Sequence, residues 1–180
     1  MPTPIDLPKD QIPLSGARQP VDPVHEADAD SRALARKLIA QSQFAAIGTL
    51  DPQTGFPHVS RIAIGTGPQG GLWSLVSGIS VHARALEADP RAGILIGIPG
   101  AKGDPLTHPR LSLQVEAIPL DRLDPRHPSL RDRWLADHPK SKLYIDLGDF
   151  HFIEFRILAA QLNGGFARSY RLTPADLVEN

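Results

Sequence analysis

Apolar residues in this chain recur mostly at every second position. Leu111, Leu113, Val115 and Ala117 alternate with Ser112, Gln114 and Glu116, the pattern of a strand with one buried face. The same alternation, or a short apolar run, marks strands at residues 44–50, 57–66, 72–76, 92–98, 149–157 and 159–172, the last interrupted by Asn163-Gly164-Gly165. Turn chemistry separates them: Asp51 to Gly55, Gly67 to Gly71, and a loop at 99–109 too rich in proline and glycine for a regular element. Helical spacing is rarer. Residues 28–43 place Leu34, Leu38 and Ile39 on one face behind Asp30 or Ser31 as cap, and residues 129–137 turn Leu130, Trp134 and Leu135 inward. Thr173-Pro174 reads as a cap followed by proline at the first helical position. The strands follow one another in meander order, without repeats or regular βαβ alternation. The predicted fold is therefore mainly β: an antiparallel barrel with peripheral helices.

Residues 77–98 hold the most suggestive local arrangement, a strand end, a short helix and a buried strand. Ser80 is placed to cap the helix, Val81, Ala85 and Leu86 mark its apolar face, and Asp89-Pro90 ends it. Ser77, Ser80 and His82 at a helix amino terminus form a candidate anion site, a phosphate above all. The same pattern also describes an ordinary helix packed across a barrel end.

Six prolines in residues 1–26 rule out a helix there and predict an extended arm, leaving residues 27–180 as one domain. A net charge of −1 without a Lys/Arg cluster gives no support for a nucleic-acid partner. Fourteen of the 19 basic residues are arginine, which suits fixed recognition of phosphate or carboxylate. No cysteine is present, so disulfides, thiolate metal sites and cysteine nucleophiles are excluded. No membrane span or signal-peptide pattern stands out, and a cytoplasmic location is expected. The seven histidines are scattered without metal-ligand spacing, so no metal site is predicted. Neither a G-x-S-x-G elbow nor a dinucleotide or Walker glycine loop occurs. The remaining anion candidates are Arg61, Ser77, Ser80, His82, Arg110 and Arg168; each arginine has the alternative role of capping a sheet edge or covering apolar surface.

Several stretches in order carry a resemblance. TLDPQTGFPHVSRIAI, LWSLVSGISVHARALEADPRAGILI and DPLTHPRLSLQVEA resemble the FMN-binding split-barrel superfamily of pyridoxamine 5′-phosphate oxidase. HPKSKLYIDLGDFHFIEF and NGGFARSYRL are similar to its haem-utilisation, HugZ-type branch. The resemblance covers roughly residues 34–172. It implies a split β-barrel homodimer with FMN at the subunit interface and a flavin-dependent oxidoreductase activity on a small-molecule substrate. Arg61 matches the phosphate arginine, His82 stands where the oxidases have a phosphate lysine, and Ser80 matches the serine two residues before it. Val76 and Ser77 fall where the strand end approaches the flavin, Arg110 lies near a ring-contacting glutamine, and Arg168 matches a substrate arginine. Tyr170 replaces a substrate histidine and Leu162 a tryptophan, departures that speak against pyridoxamine 5′-phosphate itself. The haem branch implies, as an alternative, a haem-binding or haem-degrading protein; a non-catalytic flavin-binding protein on the same fold is a further alternative. Its carboxy-terminal iron-ligating histidine has no counterpart, the last histidine being His151; Tyr170 is the replacement candidate.

Overall fold

The computed structural model describes residues 24–165 and 168–178. The predicted arm therefore lies outside the described residues up to position 23. Among those described, the chain runs β1 (Val24–Glu26), α1 (Ala29–Gln41), β2 (Phe44–Leu50), β3 (Pro57–Ala63), β4 (Gly65–Gly67), β5 (Gly70–Ser77), α2 (Val81–Ala88), β6 (Arg91–Ile96), β7 (Arg110–Pro119), α3 (His127–Asp137), β8 (Phe150–Asn163) and β9 (Ser169–Leu172). Short 3-10 turns sit at Pro105–Thr107, Pro139–Leu143 and Pro174–Leu177.

A barrel closes because one predicted strand is two. Residues 57–66 bend at Ile64, which is fully buried, so that β3 pairs with β2 while β4 pairs with β5. The Ile64 N–H donates to the Gln43 carbonyl at 3.0 Å, and the Ser74 hydroxyl donates to the Ala63 carbonyl at 2.7 Å, which fixes the corner. β5 then pairs with β8, β8 with β7, β7 with β6, and β6 with β2, completing the ring. Ile47, Ile62, Ile64, Ile94, Ile96, Leu111 and Leu113 fill its interior. The other face of β5 packs Trp73 and Leu75 against Leu130 and Trp134 of α3, and burial on both faces explains its unbroken apolar run.

Other departures from expectation have local causes. The two strands expected at 149–157 and 159–172 are one long strand, β8, with Leu158 as an extra residue in its register against β7, followed by β9. The sheet is not wholly antiparallel: Val24–Glu26, assigned to the arm, pairs in parallel with β9. Asp28, rather than Asp30 or Ser31, caps α1; its carboxylate accepts from the Ser31 N–H at 2.7 Å, and the Ser31 hydroxyl accepts from the Asp28 N–H. The run expected as buried at 92–98 is buried only at Ile94 and Ile96, while Leu95 points outward.

Candidate functional site

The candidate site lies where α2 meets β3 and the outer face of the sheet. Ser80 caps α2, its hydroxyl accepting from the Ala83 N–H at 3.3 Å and donating to the Ser77 carbonyl at 2.7 Å. The Ser77 hydroxyl donates to the Asp149 carboxylate at 2.5 Å, and the Asp149 carbonyl accepts from the Gly78 N–H. Both serine hydroxyls thus build the end of α2. Val76 is buried in register with His151 between β5 and β8. His82, at the second position of α2, forms a 3.1 Å hydrogen bond through Nδ1 with the Ser60 hydroxyl. Burial, and then the nearby His58, push the His82 pKa below the usual imidazole value, so the ring is mostly neutral near pH 7.

Alternation on β3 sends the next residue the other way. His58, Ser60 and Ile62 face inward with Thr49, Ile47 and Ala45 of β2, whereas Val59 and Arg61 face outward. The outward rows read Arg61, Ala46, Leu95, Ser112 and Val59, Gly48, Gly93, Gln114 across β3, β2, β6 and β7. An added Cβ at Gly93 would meet nothing within 4 Å, which leaves the centre of this face flat and open. A groove of about 450 Å³ runs along it, lined by Phe44, Val59, Arg61, Leu95, Ile98 and their neighbours. The Arg61 guanidinium lies 5.1 Å from the Phe44 ring centroid. It forms no ion pair among the described residues, in contrast to Arg91 and Arg156 at the far end of the same face, which pair with Asp89 and Glu116. Arg110, at the start of β7, is not in the groove lining; it lies against Gly97, which is, and donates to the Leu106 carbonyl at 2.8 Å.

The structure therefore gathers Ser77, Ser80 and His82 at one helix end and sets Arg61 and Arg110 on the adjacent outer face. Arg168 stands apart, near Asp28 beside α1, whose carboxyl pKa is lowered chiefly by the Ser31 N–H and hydroxyl and least by Arg168. Sequence reasoning passed over Ser60 and Asp149, the partners of His82 and Ser77. Ser60 precedes Arg61, but no local pattern shows that α2 folds back onto it. Among the described residues no group of three or more histidines and carboxylates stands together as a metal site, and no helix is long and apolar enough to cross a membrane.

Solved structures share this arrangement of strands and helices. A protein related to general stress protein 26, of the pyridoxinephosphate oxidase family, from Clostridium acetobutylicum superposes with a TM-score of 0.61 at 13% identity over 84% of this chain and 100% of its own. The chain has the pyridoxamine 5′-phosphate oxidase-like split-barrel fold. This split barrel has haem-utilisation relatives. The heme binding protein from Mycobacterium smegmatis is 27% identical, with a TM-score of 0.74 over 84% of this chain and 61% of that one. Protein Atu2129 from Agrobacterium tumefaciens is 34% identical, with a TM-score of 0.75 over 86% and 62%. The non-canonical heme oxygenase HOZ, chloroplastic, of Arabidopsis thaliana is 27% identical over 116 residues, 64% of this chain. The split barrel spans about a third of that plant protein, 34%, and about three-fifths of the two bacterial chains. No family model matches the chain.

Proposed function

We propose that two copies of this split barrel associate through the outer face of β3, β2 and β6 and bind FMN at the seam, as a flavin-dependent oxidoreductase of a small substrate. The observation that carries the reading is Arg61: a guanidinium without an ion pair among the described residues, set in an apolar groove on an open sheet face. An exposed apolar patch of this kind marks a binding surface, and an unpaired arginine beside it suits a phosphate. Arg61 and the Val81 and His82 N–H groups in the first turn of α2, where Ser80 takes the Ala83 N–H, would hold the phosphate, and His82 stands beside them through Ser60. Val59, Leu95 and Ile98 would cover the faces of a planar ring, with Arg110 at its rim. The flavin, when bound, supplies the electron transfer; the side chains bind it, orient it and exclude water. Among the described residues, none in the groove lining is a histidine, tyrosine or methionine.

Haem is the second reading, favoured by the relatives named for haem at 27% identity. It has to find an iron ligand beyond the groove lining, and Tyr170 is a poor one, because its ring packs against the barrel core and lies 5.9 Å from His25. The absorption spectrum of the purified protein, titrated with FMN and separately with haemin, decides between them. Flavin bands that shift and saturate at one FMN per protomer support the proposal. A Soret band with haemin and no FMN binding overturns it.

A further inference from the structure

The loop between β6 and β7 closes one end of the groove on the outer face, where Ile98 and Pro99 belong to the lining. Its two halves are held differently. Residues 104–109 are tied by their own turn: the Asp104 carboxylate accepts from the Leu106 N–H at 2.9 Å, and the Asp104 carbonyl accepts from the Thr107 N–H and hydroxyl. The Arg110 guanidinium adds a bond to the Leu106 carbonyl. Residues 98–103 have no such turn. Among the described residues their hydrogen bonds are two, and both go to the His108 ring. The Gly100 N–H donates to Nδ1 at 3.2 Å, and the Lys102 carbonyl lies 3.0 Å from Nε2. The chain passes so close that a Cβ at Gly100 would stand 2.9 Å from the ring carbon Cε1.

A peptide N–H can only donate and a carbonyl can only accept, so these partners admit one form of the ring, the neutral imidazole with its proton on Nε2. A proton added at Nδ1 replaces the acceptor with a second donor facing the Gly100 N–H, and that contact is lost. Neither ring partner is a carboxylate that could offset the new charge. The charged side chains around the ring are Lys102 and Asp104 of the loop, Arg110 of β7, and Arg168 of the β8–β9 turn, which meets the loop where the Thr107 carbonyl approaches Gly165. Asp104 is the one carboxylate among them, and it is engaged by the Leu106 N–H. We propose that His108 is a proton-sensitive pin: the neutral ring holds residues 98–103 in place, and protonation releases them and loosens the end wall of the groove. The pin acts whichever ligand the groove takes. Because the pinned loop admits only the neutral ring and the released loop admits both forms, release is favoured by up to about tenfold per pH unit below the range in which histidine ordinarily takes up a proton.

The test is backbone amide exchange at Gly100 in the full chain, followed by nuclear magnetic resonance from about pH 8 to about pH 5. Exchange is expressed as protection relative to an unstructured peptide, which removes the pH dependence of exchange itself. In the wild type, protection is expected to stay level and then fall by up to about tenfold per pH unit on the acid side. His108→Gln, whose amide offers an acceptor and a donor but takes up no proton, should make Gly100 protection independent of pH. His108→Ala should leave Gly100 with little protection at any pH. Level protection in the wild type, an equal fall in His108→Gln, or full protection in His108→Ala overturns the inference. So does a fall at Gly100 matched by the Leu113 amide of β7, because the loop would then open only with the whole barrel.

Discussion

Placing a carboxylate at Leu95 tests the association of two copies through the outer sheet face. Phe44, Val59, Leu95 and Ile98 leave 40%, 68%, 43% and 64% of their surface exposed. That is roughly two whole side chains per protomer, or about 4 kcal/mol if a partner covers them at about 2 kcal/mol each. Two-fold symmetry doubles the gain to about 8 kcal/mol, of the same order as the entropic cost of association. The dimer therefore has little in reserve. Leu95→Asp removes about 1 kcal/mol of apolar contact on each side, so about 2 kcal/mol per dimer, and the desolvation of two carboxylates adds several more. The dissociation constant is expected to rise by at least about thirtyfold. Because Leu95 points away from the barrel core, far-ultraviolet circular dichroism and the melting temperature should change little. Sedimentation velocity over a concentration series reads the outcome. Leu123→Asp, a change at a residue 91% exposed in the link between β7 and α3, serves as the control that leaves association intact. A wild-type protein that sediments as a monomer throughout, or an equal shift in both variants, would refute the assignment of this face.

Arg61→Ala should weaken FMN binding by about 2 kcal/mol, roughly thirtyfold, the worth of one charge-assisted contact. Quenching of flavin fluorescence measures it, and an equal loss for riboflavin, which lacks the phosphate, contradicts the role. The Asp176 carboxyl is held down to about 2 by the Thr173 N–H and hydroxyl and by Arg32. A depressed carboxylate pKa stabilises the fold above the unfolded value, near 4, and the benefit disappears as pH falls toward 2. Asp176→Asn should therefore melt lower at neutral pH, by about 1 kcal/mol for the lost cap, and show a shallower loss of stability between those two values. An acid limb of unchanged steepness argues against the linkage. Gly67→Ala would put a Cβ 2.5 Å from Trp73 Nε1 and 2.9 Å from the Gly70 carbonyl. A loss of about 1–3 kcal/mol in urea unfolding is expected, and an unchanged midpoint would mean that the β4–β5 hairpin relaxes freely.

Much of the architecture was legible in the residue pattern. The alternation at Leu111–Ala117, the Asp51–Gly55 turn, the Ser80 cap and the stop at Asp89-Pro90 depend on contacts within a few residues, and each recurs in the structure. The split-barrel resemblance in the ordered stretches around Arg61, His82 and Gly164-Gly165 is matched by the superposed structures. What was misjudged depends on partners far along the chain. The corner at Ile64 has the same local pattern as an uninterrupted strand, and only the pairing of β4 with β5 bends it. Leu158 reads as a break because an extra residue reverses the alternation, although β8 runs on through it.

The site divides along the same line. Sequence alone determined which chemistry is available: cysteine is absent, arginine is abundant and histidine stands at the amino terminus of α2. Periodicity determined that Ser60 and Arg61 lie on opposite faces of one strand. Only the tertiary structure decided what each faces. Closure of the barrel turned Ser60 toward His82 and left Arg61, Val59 and Leu95 on an open sheet face, because neighbouring strands and helices are set by burial summed over the whole barrel. It also committed the Ser77 hydroxyl to Asp149, 72 residues away in sequence, a pairing that no local rule contains.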